Sequence, residues 1–193
     1  MTDTAPHTPE AADATLFDDT LSHALTLPVA VEPSDSIGRQ TQAIALLSAL
    51  AQVEDLRKDE TSEDSGDLLL LAQRMDAKLD LVLSLLSRLA RRADGLHERS
   101  LQWSCRGLRI DMAPGDALAP GSHVVVRLQP SDWLPDHLEL PARVLATDAA
   151  AAAPRVWVTF EGLQRDLVET LDRHLFRLHR RQVAEQRRAD PRP

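Results

Sequence analysis

Two stretches of this 193-residue sequence bring together side chains able to do chemistry. In Ser104-Cys105-Arg106-Gly107 a thiol stands beside a guanidinium, and a neighbouring cation lowers a thiol's pKa. No base and no second cysteine accompanies it, so Cys105 is read as a half-buried structural residue. The second stretch is Arg173, His174, Arg177, His179, Arg180 and Arg181. Guanidinium groups at this spacing suit an acidic protein partner or a nucleic acid, which makes Arg173, Arg177, Arg180 and Arg181 a candidate docking patch. The same cations equally complement the negative end of a helix. His174 and His179 are five apart, off the four-residue spacing that aligns metal ligands on a helix, so no metal is expected. Asp76 with Asp80, and Glu54 with Asp55, read as solvated charges on polar helix faces. Nothing resembles a nucleophile elbow, phosphate loop, paired catalytic acids or zinc site. The chain is therefore expected not to be an enzyme and to carry no resident cofactor.

Composition narrows the partners. A formal charge of -8 opposes general attraction to nucleic acid or an anionic membrane. Three Trp, three Phe and no Tyr leave little for a base-stacking surface. Charge is uneven: no Lys or Arg precedes Arg39, whereas Arg173 to Arg192 is basic. The single cysteine excludes an intramolecular disulfide and fits a reducing cytoplasm. No stretch approaches the roughly 20 apolar residues of a membrane span, and the N-terminus lacks the basic-then-apolar order of a signal peptide. A cytoplasmic protein is expected, and the excess of Arg over Lys is associated with GC-rich bacterial genomes.

The elements that must position these residues follow from periodicity. Residues 1–16 are polar, acidic and aperiodic, and read as a disordered tail. Leu25 to Val31 alternates at period two as a strand, within a first strand of about residues 21–32; Pro28 would confine it to an edge or a bulge. Ala43, Leu46, Leu47, Leu50, Val53 and Leu56 recur at three and four, giving a helix over 39–57. An acidic linker, Lys58 to Gly66, precedes a helix over 67–93. Short strands joined by Gly/Pro turns then fill 99–160, the pattern of a small antiparallel barrel. A last helix spans 163–188, with 189–193 a tail. The fold class is α+β, one barrel domain over 17–188 with two inserted helices arranged as a hairpin.

Leu68, Ala72, Met75, Leu79, Val82, Leu86, Leu89 and Ala93 alternate at spacings of four and three, a heptad seam. Leu69, Leu71, Leu83 and Leu85 flank it, so the apolar face is wider than that of a simple dimer. The helix would be about 40 Å long at 1.5 Å per residue. One reading has the preceding, shorter helix cover this face within one chain. The other, favoured here, is self-association into a bundle of three or four long helices, a tetramer foremost.

Gln102-Trp-Ser104-Cys-Arg-Gly107, the strands after it, and Val158-Thr-Phe160-Glu-Gly-Leu163 leading into Leu175-Phe-Arg-Leu-His-Arg-Arg181 resemble a PilZ domain. The Lys78-Leu-Asp-Leu-Val-Leu83 helix and the Phe176 to Arg181 run resemble more closely the atypical, helix-inserted PilZ subclass that assembles as tetramers. The resemblance spans about residues 17–185 and implies a signalling role in a cyclic di-GMP or motility pathway. It also implies a ligand site that this sequence only partly retains. The family uses Arg-x-x-x-Arg before the first strand and Asp/Asn-x-Ser-x-x-Gly on the barrel; here Ser104 and Gly107 match, Gln102 replaces the Asp/Asn, and Arg106 lies between. The arginine pair is missing upstream, and Arg88-Leu-Ala-Arg-Arg92 spells it only at the end of the long helix. Each lost charged contact costs about 1.5–3 kcal/mol. The expectation is an oligomeric adapter that acts on an unidentified protein partner, with cyclic di-GMP bound weakly through Gln102, Ser104, Arg106 and Gly107 or not at all. A cyclic di-GMP receptor borrowing arginines from a neighbouring subunit is the alternative, and a nucleic-acid module built on the last helix the third reading.

Overall fold

The structure, a computed structural model, describes residues 8–59, 67–113, 116, 118–131, 133–149 and 153–189. Residues 1–7 and 190–193 of the expected tails, most of the acidic linker, the Pro114-Gly115 turn and the side chains of Leu68, Leu69 and Leu71 lie outside the described residues. Among the described residues ten elements follow in order: α1 (Pro9–Phe17), β1 (Ser22–Pro33), α2 (Gln40–Asp59), α3 (Asp67–Ala93), β2 (His97–Ser104), β3 (Gly107–Asp111), β4 (His123–Leu128), β5 (Leu138–Asp148), β6 (Arg155–Phe160) and α4 (Arg165–Ala189).

The strands close into an antiparallel barrel in the order β1-β2-β3-β6-β5-β4, with β4 returning to β1. Closure leaves no sheet edge to template association with another chain. Alternate residues of every strand fill the interior: Leu101 and Trp103, Leu108 and Ile110, Val124 and Val126, Leu138 and Leu140, Val156 and Val158. Leu167, Leu171 and Leu175 of α4 and Ala43 and Leu47 of α2 extend this core. The buried Gln40 amide stitches the two helices to the barrel, donating to the carbonyls of Ile37 (3.1 Å) and Gly162 (3.0 Å) and accepting from the Gln164 N–H (2.7 Å).

Pro28 is neither on an edge nor at a bulge. β1 pairs with β2 through Ser22–Val29 and with β4 through Val29–Pro33, so Pro28 stands where the partner changes. Its carbonyl accepts from the Gln129 N–H just beyond β4. The missing Pro N–H faces the same side, and the β2 ladder loses nothing.

The expected disordered tail is replaced by α1 over residues 9–17. Thr8 caps it, its Oγ1 accepting from the Ala11 N–H at 3.3 Å, and Pro9 begins it. Ala12 and Leu16, one turn apart, bury fully against Leu145, Ala146 and Trp157 on the outside of the barrel. This second, smaller core depends on a bulge between Val144 and Ala146, which lets Leu145 leave the interior alternation.

Candidate functional site

The Ser104-Gly107 turn joins β2 to β3 and sits under the C-terminal end of α1. A helix leaves its last four carbonyls without intrahelical donors, and α1 has no cation of its own in its last turn. The turn supplies them. Ser104, fully buried, donates from Oγ to the Leu16 carbonyl (2.8 Å) and accepts from the Arg106 N–H (3.1 Å). Arg106 donates from Nη1 to the carbonyls of Asp18 (2.9 Å) and Thr15 (3.2 Å), placing a positive charge at the helix's negative end. Gly107 is required by close approach: a Cβ there would meet the Val158 carbonyl oxygen at 2.1 Å and Leu16 Cδ2 at 2.8 Å. Gln102 lies apart from Ser104's contacts and donates from Nε2 to Ser22 Oγ at 3.1 Å. The four residues expected to meet a ligand thus have partners inside the chain or, for Gly107, neighbours against it. Cys105, half-buried, lies 3.4 Å from Thr20 Oγ1.

Sequence reading missed the residues that complete this face. Arg109 of β3 and Trp157 of β6 are cross-strand partners pointing outward. Asp13 of α1 reaches both: Arg109 Nη1 donates to its two oxygens (3.1 and 3.0 Å) and Trp157 Nε1 to one (2.7 Å). The only available signal was that a Trp and an Arg occupied strand positions opposite to the interior alternation.

The seam of α3 is solvent-facing from Ala72 onward. Among the described residues ten large hydrophobic side chains are exposed, and seven of them are on α3: Met75, Leu79, Leu81, Val82, Leu85, Leu86 and Leu89. Ala72 and Ala93 of the seam are exposed too. Leu89 is 67% exposed and Val82 50%. Leu81 was not among the expected residues. The orientation has a cause: Ser87, fully buried, donates to the Leu134 carbonyl (3.2 Å) and accepts from Gln129 Nε2 (2.6 Å). Ser87 lies about 140° around the helix from Val82, so the polar side docks on the β4–β5 loop while the seam points away. Asp94, just past α3, meets His137 Nδ1 at 3.3 Å, and Arg39 joins His137 (3.1 Å) and Glu139 (2.9 Å). α2 packs on α4 and β5, and among the described residues no element packs extensively on α3.

The basic patch of α4 is largely neutralised. Arg173 pairs with Glu169 (3.3 Å), Arg177 with Asp55 (3.7 Å) and Arg181 with Glu54 (2.6 Å). Arg173, Arg177 and Arg180 also line an open cleft of about 740 Å³ with the exposed Phe176, together with Asp19, Glu169 and Asp172, so its charge is mixed. His174 faces inward, its ring 5.5 Å from that of Trp103. Burial first, then Arg181, Arg177 and His23, lowers its pKa from 6.5 to about 4. No group of three or more His, Cys, Asp and Glu side chains among the described residues could hold a metal ion, and no helix among them is long and apolar enough to cross a membrane.

A family model described as an atypical PilZ domain, cyclic di-GMP receptor, matches residues 47–188. A solved structure from Xanthomonas campestris, described as a tetrameric PilZ domain self-assembled via an unusual helical bundle, is 47% identical with a TM-score of 0.71, over 91% of this chain and 97% of its own. The PilZ domain with c-di-GMP of YcgR from Escherichia coli is 15% identical with a TM-score of 0.38, over 47% of this chain and 78% of its own. An inhibitor of motility from Bacillus subtilis is 16% identical with a TM-score of 0.37, over 47% of this chain and 44% of its own. No curated protein matches the chain.

Proposed function

This chain belongs to the atypical PilZ domain family, and from that premise we propose that it is an oligomeric adapter of the cytoplasm. Copies join through α3, and the assembled barrels act by protein–protein contact in a cyclic di-GMP or motility-related pathway, with weak or no ligand binding of their own. The observation that carries this reading is the seven-residue apolar face of α3, standing in solvent opposite Ser87. Full burial of a large aliphatic side chain contributes about 1.5–3 kcal/mol. These residues are about half exposed, so covering them contributes roughly 1 kcal/mol each, repeated in every chain of a bundle. Leu81 and Leu85 widen the face beyond one seam, which favours more than two helices, and the tetrameric bundle of the Xanthomonas campestris relative supports four. A bundle carrying several barrels offers repeated docking faces, so weak contacts gain through effective concentration. Sedimentation velocity over a concentration series tests the reading: a stable multi-chain species is expected, and a 21.3 kDa particle at all concentrations would end it.

Weak ligand binding is supported by the absence of any arginine before Arg39 and by the engagement of Ser104 and Arg106 with α1. The second reading, a cyclic di-GMP receptor, draws on the retained Ser104 and Gly107 with Arg106 and Arg109 close by. Titration calorimetry separates the two: binding tighter than about 10 µM, near -7 kcal/mol, establishes the receptor, and no heat removes it. The nucleic-acid reading loses support from the ion pairs that hold Arg173, Arg177 and Arg181.

A further inference from the structure

The contacts under α1 describe a docking face together with the peptide that fits it. The barrel contributes the Ser104 hydroxyl, the Arg106 and Arg109 guanidiniums and the Trp157 indole N–H, while α1 contributes the Asp13 carboxylate and the terminal carbonyls of Thr15, Leu16 and Asp18. One leucine, Leu16, fills the apolar seat beside Leu145 and Trp157, and the Phe17 ring lies 5.9 Å from the Arg109 guanidinium. The barrel side is held by its own strands, whereas α1 is a nine-residue helix whose buried side chains are only Ala12 and Leu16, in a cluster separate from the main core. A helix of that length is not stable alone, so α1 stays helical only while docked. Small clusters at the margin of a domain open before the whole domain does.

We propose that α1 is a displaceable latch and that the face beneath it binds, in trans, a short acidic helix of a partner protein with a carboxylate three residues before a leucine and its C-terminal carbonyls over the Ser104-Gly107 turn. This rests on the adapter reading and supplies its partner chemistry. The latch keeps the face closed within each chain, and a partner segment of the same chemistry replaces it. The guanidinium pair makes the face selective for acid over base, and the leucine seat fixes the register.

The experiment uses the full chain and a labelled synthetic peptide of residues 8–19. In Asp13→Ala/Leu16→Ala the cis latch loses its carboxylate and its leucine while the barrel donors remain. Fluorescence anisotropy should show the peptide binding at least tenfold more tightly to this variant than to the unsubstituted protein, with the gain lost on adding Arg109→Ala. Equal affinity for both, or no binding to a double variant whose strand circular dichroism is intact, overturns the proposal. Should the variant fail to fold, amide exchange on the unsubstituted protein decides: residues 12–17 should exchange at least tenfold faster than β3 and β6, and equal protection overturns the latch. Light scattering on the same samples keeps the two readings apart, since an assembled double variant that ignores the peptide defeats the latch alone, and a monomeric unsubstituted protein defeats assembly alone.

Discussion

Acid should loosen the seat of α4 through one side chain. His174 is 2% exposed on the inner face of the helix, against Trp103, with His23 of β1 and Arg177 and Arg181 of its own helix as the charged or titratable neighbours that disfavour its cation. Its pKa is lowered from 6.5 to about 4, so within that window the unfolded chain binds a proton that the folded chain refuses. The stability this neutral imidazole preserves is complete above the unfolded value and falls as pH drops, by up to about 1.4 kcal/mol per unit, until the folded protein protonates near the lower value. The total is about 3 kcal/mol, a large part of the roughly 5–15 kcal/mol of a typical domain. His174→Phe keeps a ring against Trp103, removes the titration, and removes a buried Nε2 that has no hydrogen-bond partner among the described residues. Urea unfolding followed by circular dichroism, at one protein concentration and at about pH 7.5 and about pH 5, gives the difference between the two proteins. The unsubstituted protein should lose about 2 kcal/mol more than the variant over that interval. A pH-independent difference would refute the reasoning, because it would mean that His174 is as easily protonated folded as unfolded.

Three further substitutions separate what holds the fold from what decorates it. Gly107→Ala drives a Cβ against the Val158 carbonyl, a backbone atom of the β6 ladder that cannot swing aside, and should lower stability by about 2 kcal/mol or more in urea unfolding. Leu171→Ala empties a fully buried position between α4 and the barrel and should cost about 2–5 kcal/mol, read as a fall in the calorimetric Tm. Arg181→Ala leaves the mostly covered Glu54 carboxylate without its half-exposed guanidinium and should lower stability by about 1–2 kcal/mol in urea unfolding, a difference that shrinks in added salt.

The parts legible in the sequence are those governed by local period. The four-and-three spacing from Leu68 to Ala93 gave α3 with its bounds, because a long helix with one apolar face repeats its signal many times. Short apolar runs between Gly/Pro turns likewise marked 99–160 as strands, the region where β2 to β6 lie. α1 escaped because its buried face consists of Ala12 and Leu16, too few residues to make a period, and because its seat is formed by Leu145 and Trp157, more than a hundred residues away. The role of Asp13 is likewise a long-range fact: one of several acidic residues near the start of the chain, it is distinguished only by Arg109 and Trp157 standing side by side on β3 and β6. The charge of α4 was readable, but its pairing with Glu54 and Asp55 depends on α2 lying alongside. The direction of the α3 seam depends on Ser87, whose polar character mattered more than its place outside the heptad core.

The central claim, assembly through α3, is tested most directly by replacing Leu79, Val82 and Leu86 together with Glu and measuring mass by multi-angle light scattering. All three are about half exposed in the single chain, so the charges disturb no core within it. The unsubstituted protein should run at a multiple of 21.3 kDa, fourfold for a tetramer, and the triple variant at 21.3 kDa with its circular dichroism retained. A triple variant that keeps the unsubstituted mass would contradict the account.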